Sequence, residues 1–504
     1  MSNLSTQAPL ESVPLLINGR WEQFQADEAA DVYNPSTGAV IARTPLCGPE
    51  EATAAVEAAA GAVEAWSQTP VVERAQLMFR FRELLISHFD ELVALVTREH
   101  GKTLVEAAAE VNRGQELLEF ACGIPSLYMG RSLANIAAEV DAETVRHPIG
   151  VCVGITPFNF PNMVPLWMFP VAVTCGNTFI LKPSEKVPLS AVRLGELMLE
   201  AGFPPGVFNI VHGDKRCVDV LLTHPKVAAI SFVGSTPIAR SIYQTGTRHG
   251  KRVQAAGGAK NHMIIMPDAD LDLSVKGLAG SAYGCTGQRC MAGSVAVAVG
   301  DVADPLLDQL CTHSKSIRVG ATDGNPDVEM GPINSPAALQ RVHGYVNRAA
   351  AQGATLAVDG CRPFDGDGFL VGPSVIDHVR PHMELWTDEI FGPVLSVVRA
   401  DSLDDALALG TSCSYGNGAS IFTRDGYAAR QFKHHFNAGM IGINVGVPAP
   451  MAWMPFTGWN QSFFGDLHIQ GIDSVHFYTR QKVTMTRWFK PTGDTHHDPV
   501  WKTR

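Results

Sequence analysis

GVCVGITPFNFPNMVPLWMFPVAVTCGNTFILKPSEKVPLSAVRLGELMLEA, residues 150–201, is the stretch on which the fold turns. No Asp, Glu, Lys or Arg occurs between Arg146 and Lys182, a length that would cross a bilayer. Yet Pro148, Pro157, Pro161, Pro165 and Pro170 interrupt it, together with Asn159, Asn162 and Asn177. Lipid-exposed backbone does not tolerate so many breaks. The segment therefore reads as a buried strand (151–155), helix (162–173), strand (178–181) and helix (189–201) of a soluble core. Downstream the alternation continues as strand 207–210, helix 217–222, strand 227–233, helix 237–248 and strand 252–255. Such alternation implies parallel strands with helices on both faces and ligands at the carboxyl ends of the strands.

A second alternation occupies 263–445, with strands expected at 295–299, 375–376, 394–398, 420–422 and 440–443, so the fold class is α/β with two α/β domains. Upstream, 70–100 and 104–120 read as long helices and 138–145 as an exposed alternating strand. Residues 476–488 have the same strand character. Two isolated strands so far apart in sequence can pair as an arm outside both domains.

At 504 residues and roughly 150 residues per domain, about three structural units are expected. Hydrophobic residues at 46% and charged residues at 18% exclude disorder and a coiled coil. A net charge of −11, without a basic run, argues against a nucleic-acid partner. Ten scattered cysteines form no CxxC pair, and neither His434-His435 nor His496-His497 has further ligands at zinc spacing, so no metal site is expected. The first twenty residues hold Glu11 and no basic residue before Arg20, which fits no secretory or transit leader. The expectation is a cytoplasmic protein with no membrane partner.

Nucleotide binding is signalled where the strand 227–233 runs into Gly234, Ser235, Thr236 and Pro237 and then into a helix. Ser or Thr caps such a helix, Pro suits its first turn, and the free N–H groups and dipole would receive a pyrophosphate. Without a GxGxxG fingerprint an ordinary strand-to-helix turn is the competing interpretation. Lys182-Pro183-Ser184-Glu185 shifts the balance, because a Glu at a carboxyl edge accepts from ribose hydroxyls and repels a 2′-phosphate, favouring NAD over NADP. The chemical candidate is Cys290, in the glycine-containing loop 284–292. Arg289 beside it would favour a thiolate. A thiohemiacetal formed there needs an oxyanion donor such as the Asn159 amide.

Together these residues resemble the NAD-dependent aldehyde dehydrogenase superfamily along nearly the whole chain. The motifs fall in the family's order: Pro157-Phe158-Asn159-Phe160-Pro161, Lys182-Pro183-Ser184-Glu185, Phe232-Val233-Gly234-Ser235-Thr236, Gly287-Gln288-Arg289-Cys290 and Glu389-Ile390-Phe391-Gly392-Pro393. The resemblance implies a Rossmann-type NAD domain (1–135 and 151–262), a catalytic domain (263–472) and a β-strand oligomerisation arm (136–150 and 473–504) that builds a homotetramer. It implies Cys290 and Asn159 as catalytic residues. Thr156, Phe158, Lys182, Glu185, Gly234, Ser235, Glu389 and Phe391 are the implied cofactor contacts.

One departure bears on the subtype. Ordinary members carry a Glu before their Gly-Gly-Lys segment, and it activates the deacylating water. Here the segment reads Gln254-Ala255-Ala256-Gly257-Gly258-Ala259-Lys260-Asn261-His262, which puts Ala256 at that position. Water, with a pKa of about 15.7, attacks a thioester poorly without a base, whereas a thiol near about 8.5 is partly ionised at neutrality. This pattern is similar to the CoA-acylating methylmalonate-semialdehyde dehydrogenases, whose substrate carries a carboxylate β to the aldehyde. The resemblance makes coenzyme A the acyl acceptor and implies Arg113 and Arg289 as partners of the substrate carboxylate. A hydrolytic semialdehyde dehydrogenase and a non-catalytic relative are the alternatives. Trp453, Phe456, Trp459, Phe463 and Phe464 read equally as a substrate funnel or as interdomain packing.

Overall fold

A computed structural model describes residues 12–489. The leader expectation at the N-terminus, the His496-His497 doublet and the outer ends of the first domain and the arm therefore lie partly or wholly outside the described residues.

The apolar runs of the first alternation assemble an eight-stranded sheet. Across it lie Arg20–Glu22, Leu15–Ile17, Phe208–Ile210, Thr178–Lys182, Val151–Ile155, Val227–Val233, Arg252–Ala256 and Phe463–Phe464. The five central strands are parallel, and the pairs at each edge are antiparallel. Chain order reverses between Val151–Ile155 and Val227–Val233, which opens a crevice at their carboxyl ends. One face of this sheet packs on Met78, Phe81, Leu118 and Phe169, the other on Val56, Leu221 and Ile242 of the helices Pro49–Gln68, Lys215–Thr223 and Thr236–Arg248.

A second, seven-stranded sheet runs Thr355–Val358, Ser374–Asp377, Val394–Ala400, Gly293–Val299, Asn261–Ile265, Gly418–Phe422 and Met440–Ile443. All its strands are parallel except the first. Only residues 257–260 separate Ala256, the end of a strand in the first sheet, from Asn261, the start of one in the second. The carboxyl edge of one sheet thus abuts the amino edge of the other. Phe463–Phe464 sits on the first sheet although it falls inside the range expected for the second unit.

The tail strand Thr479–Arg487 pairs antiparallel with Val140–Pro148 at nine successive positions, as the two isolated strands foreshadow. A third strand, Arg131–Ala137, which the sequence reading omits, completes the arm. The tail strand also starts later than expected, because Gly471–Phe477 is helical. The expected helix 70–100 is two helices, Val71–Ser87 and Phe89–His100, which share His88 as their common cap. The expected helix 162–173 is likewise split, into Met163–Leu166 and Phe169–Thr174. Pro170 has no N–H to donate to residue 166.

The long helix Leu104–Cys122 determines where the loop after Val151–Ile155 lies. Thr103 and Glu106 cap it reciprocally. Gly114 admits Leu166 so closely that a Cβ would meet its Cδ1 at 2.5 Å. Beneath the loop Lys102 and Glu110, both fully buried, pair at 2.5 Å. Lys102 Nζ also donates to the Asn159 carbonyl at 2.8 Å and lies 4.1 Å over the Phe160 ring. Glu110 Oε1 accepts from the Asn162 and Met163 N–H groups. Burial pulls the Lys102 ammonium down, and Glu110, with Cys285 and Glu106, more than offsets it, so the group is held above its ordinary range. Removing one partner strands the other charge. Glu110→Ala is expected to lower the unfolding free energy by about 3–5 kcal/mol in chaotrope titrations, and Lys102→Met added to it to recover part of that loss.

Candidate active site

Two cavities meet at Cys290. The larger, about 740 Å³, follows the crevice of the first sheet, and the smaller, about 310 Å³, lies between the helix Leu104–Cys122 and residues 447–470. Thr156, Phe158, Asn159, Lys182, Glu185, Gly234, Ser235, Glu389 and Phe391 all border the larger cavity. Arg113 and Arg289 border the smaller one. The twelve residues singled out in the sequence thus fall around two chambers that share one sulfur.

The larger chamber has the features a dinucleotide requires. Gly234 N donates to Ala256 O, and a Cβ on Gly234 would meet the Phe232 ring at 2.5 Å, so the backbone itself forms the wall. Ser235 precedes the helix Thr236–Arg248 without a side-chain cap bond, leaving the first-turn N–H groups free for an anion. Lys182 is fixed by donation to Gly213 O at 2.8 Å and lies 3.5 Å from Glu185. Phe158 meets Phe391 edge-on at 5.8 Å. These residues fit a dinucleotide cofactor.

Cys290 enters from a strained loop. Cys285 and Thr286 hold φ of 51° and 54°, in the left-handed region. The strain is over-determined: Cys285 N donates to Glu106 Oε1 at 2.6 Å, and Thr286 Oγ1 donates to Gly331 O at 2.8 Å. Gly287 presses on the 389–393 segment so closely that a Cβ would lie 2.1 Å from Gly392 O. Past the loop, Asn261 and Asn417 both donate to the Cys290 carbonyl. Glu106, Glu110 and Arg113 recur at i, i+4 and i+7 on one helix face. The first two hold the nucleophile loop and the Asn159 loop respectively. The sequence reading named Arg113 but missed Glu106 and Glu110, although their spacing from it was a visible signal; Lys102 carried none.

The surroundings of Cys290 disfavour the thiolate that Arg289 was expected to favour. Burial, then the Glu389 carboxylate, push the Cys290 thiol up to about 12, and Arg289 only opposes them. Arg289 is instead held by the carbonyls of Gly280 and Ser281, to which its Nη2 donates. Burial also raises Glu389 to about 7, while Ala259 N–H donates to its Oε1 at 2.9 Å. Arg113 pairs with Glu116 at 2.9 Å and contacts Met451 Sδ. Of the five tail aromatics, Phe456 forms part of the smaller cavity, packed 4.8 Å from Trp167, while Trp453 and Trp459 are exposed and Phe463 joins the first sheet. Among the described residues no cluster of metal-ligating side chains gathers, and no helix is long and apolar enough to cross a membrane. In the ligand-free protein, alkylation of Cys290 by iodoacetamide, followed by peptide mass spectrometry, is expected to climb steadily from pH 7 to 10. A plateau near pH 8 contradicts the raised thiol.

Known proteins place this geometry. Residues 21–484 match the aldehyde dehydrogenase family. A crystal structure of methylmalonate-semialdehyde dehydrogenase from Oceanimonas doudoroffii superposes with a TM-score of 0.93 at 47% identity, covering 95% of this chain and 99% of that one. A Sinorhizobium meliloti structure described as a methylmalonate-semialdehyde dehydrogenase complexed with NAD gives 0.94 at 45% identity, covering 97% and 100%. The malonate-semialdehyde dehydrogenase of Halalkalibacterium halodurans is 49% identical over 489 residues, 97% of this chain and 100% of its own length. With two chambers converging on a loop-borne cysteine and a match this long, the chain belongs to the aldehyde dehydrogenase family.

Proposed function

We propose that the chain is an NAD-dependent, CoA-acylating semialdehyde dehydrogenase that converts malonate semialdehyde to acetyl-CoA, methylmalonate semialdehyde to propionyl-CoA, or both. The observation that carries this reading is Ala256. It ends the strand Arg252–Ala256 in an apolar cluster with Cys285 and Met291, at the position where the family's water-activating carboxylate belongs. The carboxylates bordering the smaller cavity are engaged, Glu116 in its pair with Arg113. Glu106 accepts from Cys285 N–H, and Glu110 is consumed by Lys102 and two backbone N–H groups. Glu389 accepts from Ala259 N–H. With Ala256 in place of the water-activating carboxylate, a thioester at Cys290 is read as persisting until a thiol attacks it.

In this reading Cys290 gives up its thiol proton to solvent as its Sγ adds to the aldehyde carbon, and the Asn159 amide donates to the oxyanion. NAD, when bound, supplies the hydride acceptor. Lys182 and Glu185 hold the ribose, Gly234 and Ser235 the pyrophosphate, and Thr156, Phe158, Glu389 and Phe391 the nicotinamide end. Arg113 and Arg289 attract the substrate carboxylate; once the thioester has formed the carboxylate leaves as carbon dioxide, the C–C bonding pair passes into a thioester enolate that takes a proton from solvent, and the coenzyme A thiol then attacks the acyl carbon and releases Cys290. In this reading the first sheet, with its crevice, does the cofactor work and the second, with the cysteine, the catalysis. Exposed Leu133, Ile136, Val483 and Met485 on the arm support pairing of copies, read here as a homotetramer. Ten free cysteines support a cytoplasmic setting.

Supplied with NAD, CoA and malonate semialdehyde, the protein is expected to yield acetyl-CoA, identified by mass spectrometry; free acid as the main product overturns the reading. Ala256→Glu is expected to divert product toward CoA-independent hydrolysis. Arg113→Ala is expected to raise KM for malonate semialdehyde about ten-fold or more while leaving propanal within about two-fold.

A further inference from the structure

Gln470 combines three unusual features at one position. Its backbone holds φ 72° and ψ 172°, a region essentially reserved for glycine. Its side chain is 4% exposed, and its Oε1 is enclosed without a hydrogen-bond partner. It also borders the smaller cavity, with Cys290 and both arginines. The strain is enforced from either side: Phe456 N donates to Ile469 O at 2.7 Å, and Gly471 N donates to Ala452 O at 3.1 Å. Phe456 and Ala452 themselves border the cavity. A strained backbone that presents an unpaired carboxamide to a reaction chamber points to a ligand contact.

The remaining polar groups of the chamber define that ligand. Glu106 and Glu110 are committed to backbone and Lys102 donors, and Glu116 to Arg113. What remains unpaired is the Gln470 Oε1 and the Arg289 Nε, an enclosed donor without a partner. A carboxamide turns either end to its partner, since its O and N are assigned only by hydrogen bonding. Beside Arg113 and Arg289 the matching ligand group is an anionic acceptor. Resting on the function proposed above, we infer that Gln470 is a specificity-determining residue whose amide N–H donates to the substrate carboxylate as a third, neutral arm beside Arg113 and Arg289.

Gln470→Gly and Gln470→Glu test this. The glycine variant removes the amide and relieves the backbone, so its thermal midpoint is expected to stay at or above the parent's. Its kcat/KM for malonate semialdehyde is expected to fall about ten- to hundred-fold, mainly through KM, with propanal within about two-fold. Malonate, as a competitive inhibitor of propanal oxidation, is expected to weaken by a similar factor, and Gln470→Glu to weaken it further. Equal losses with both aldehydes, or unchanged malonate inhibition, overturn the inference. A parent enzyme that does not favour malonate semialdehyde, yet loses malonate inhibition on Gln470→Gly, sinks the proposed substrate and keeps the contact.

Discussion

The buried pair of Lys102 and Glu110 is the constraint on which the catalytic geometry depends. Two opposite charges in an apolar interior are tolerable only when each is fully hydrogen-bonded, and here the remaining valences are filled by the backbone of residues 159–163. The electrostatic need of the pair thus becomes a positional demand on the loop that carries Asn159. One turn earlier Glu106 does the same for the loop that carries Cys290. A single helix face therefore registers donor against nucleophile, although the two lie on different sheets.

Nearly all of the first sheet was legible because its parallel strands are buried on both faces and stand out as uninterrupted apolar runs. Val151–Ile155, Thr178–Lys182 and Val227–Val233 fall within a residue of their expected bounds. Helix continuity was less legible. The apolar pattern through 162–173 says nothing of a break that Pro170 imposes, and the 70–100 pattern hides the junction at His88. The strand Arg131–Ala137 was missed because most of its residues are exposed, so burial leaves no alternation to read.

At the site, motifs with backbone function carried well. Gly234, Ser235 and Lys182-Pro183-Ser184-Glu185 gather at one crevice because local turn chemistry fixes them. Electrostatics carried poorly. Arg289 stands beside Cys290 in sequence, but its guanidinium donates to Gly280 and Ser281, and adjacency in the chain did not become dominance over the thiol. Nor does a linear reading reveal that Gln470 is held in a glycine-only conformation, since that follows from hydrogen bonds made by Phe456 and Ala452 in a neighbouring segment.

The raised thiol of Cys290 has a physiological corollary. Peroxide oxidises thiolates far faster than neutral thiols, so a sulfur kept protonated by burial and by Glu389 resists conversion to sulfenic acid. Between turnovers the nucleophile is shielded by its own poor reactivity. Burial that disfavours the thiolate thus also slows the reaction of the resting sulfur with peroxide.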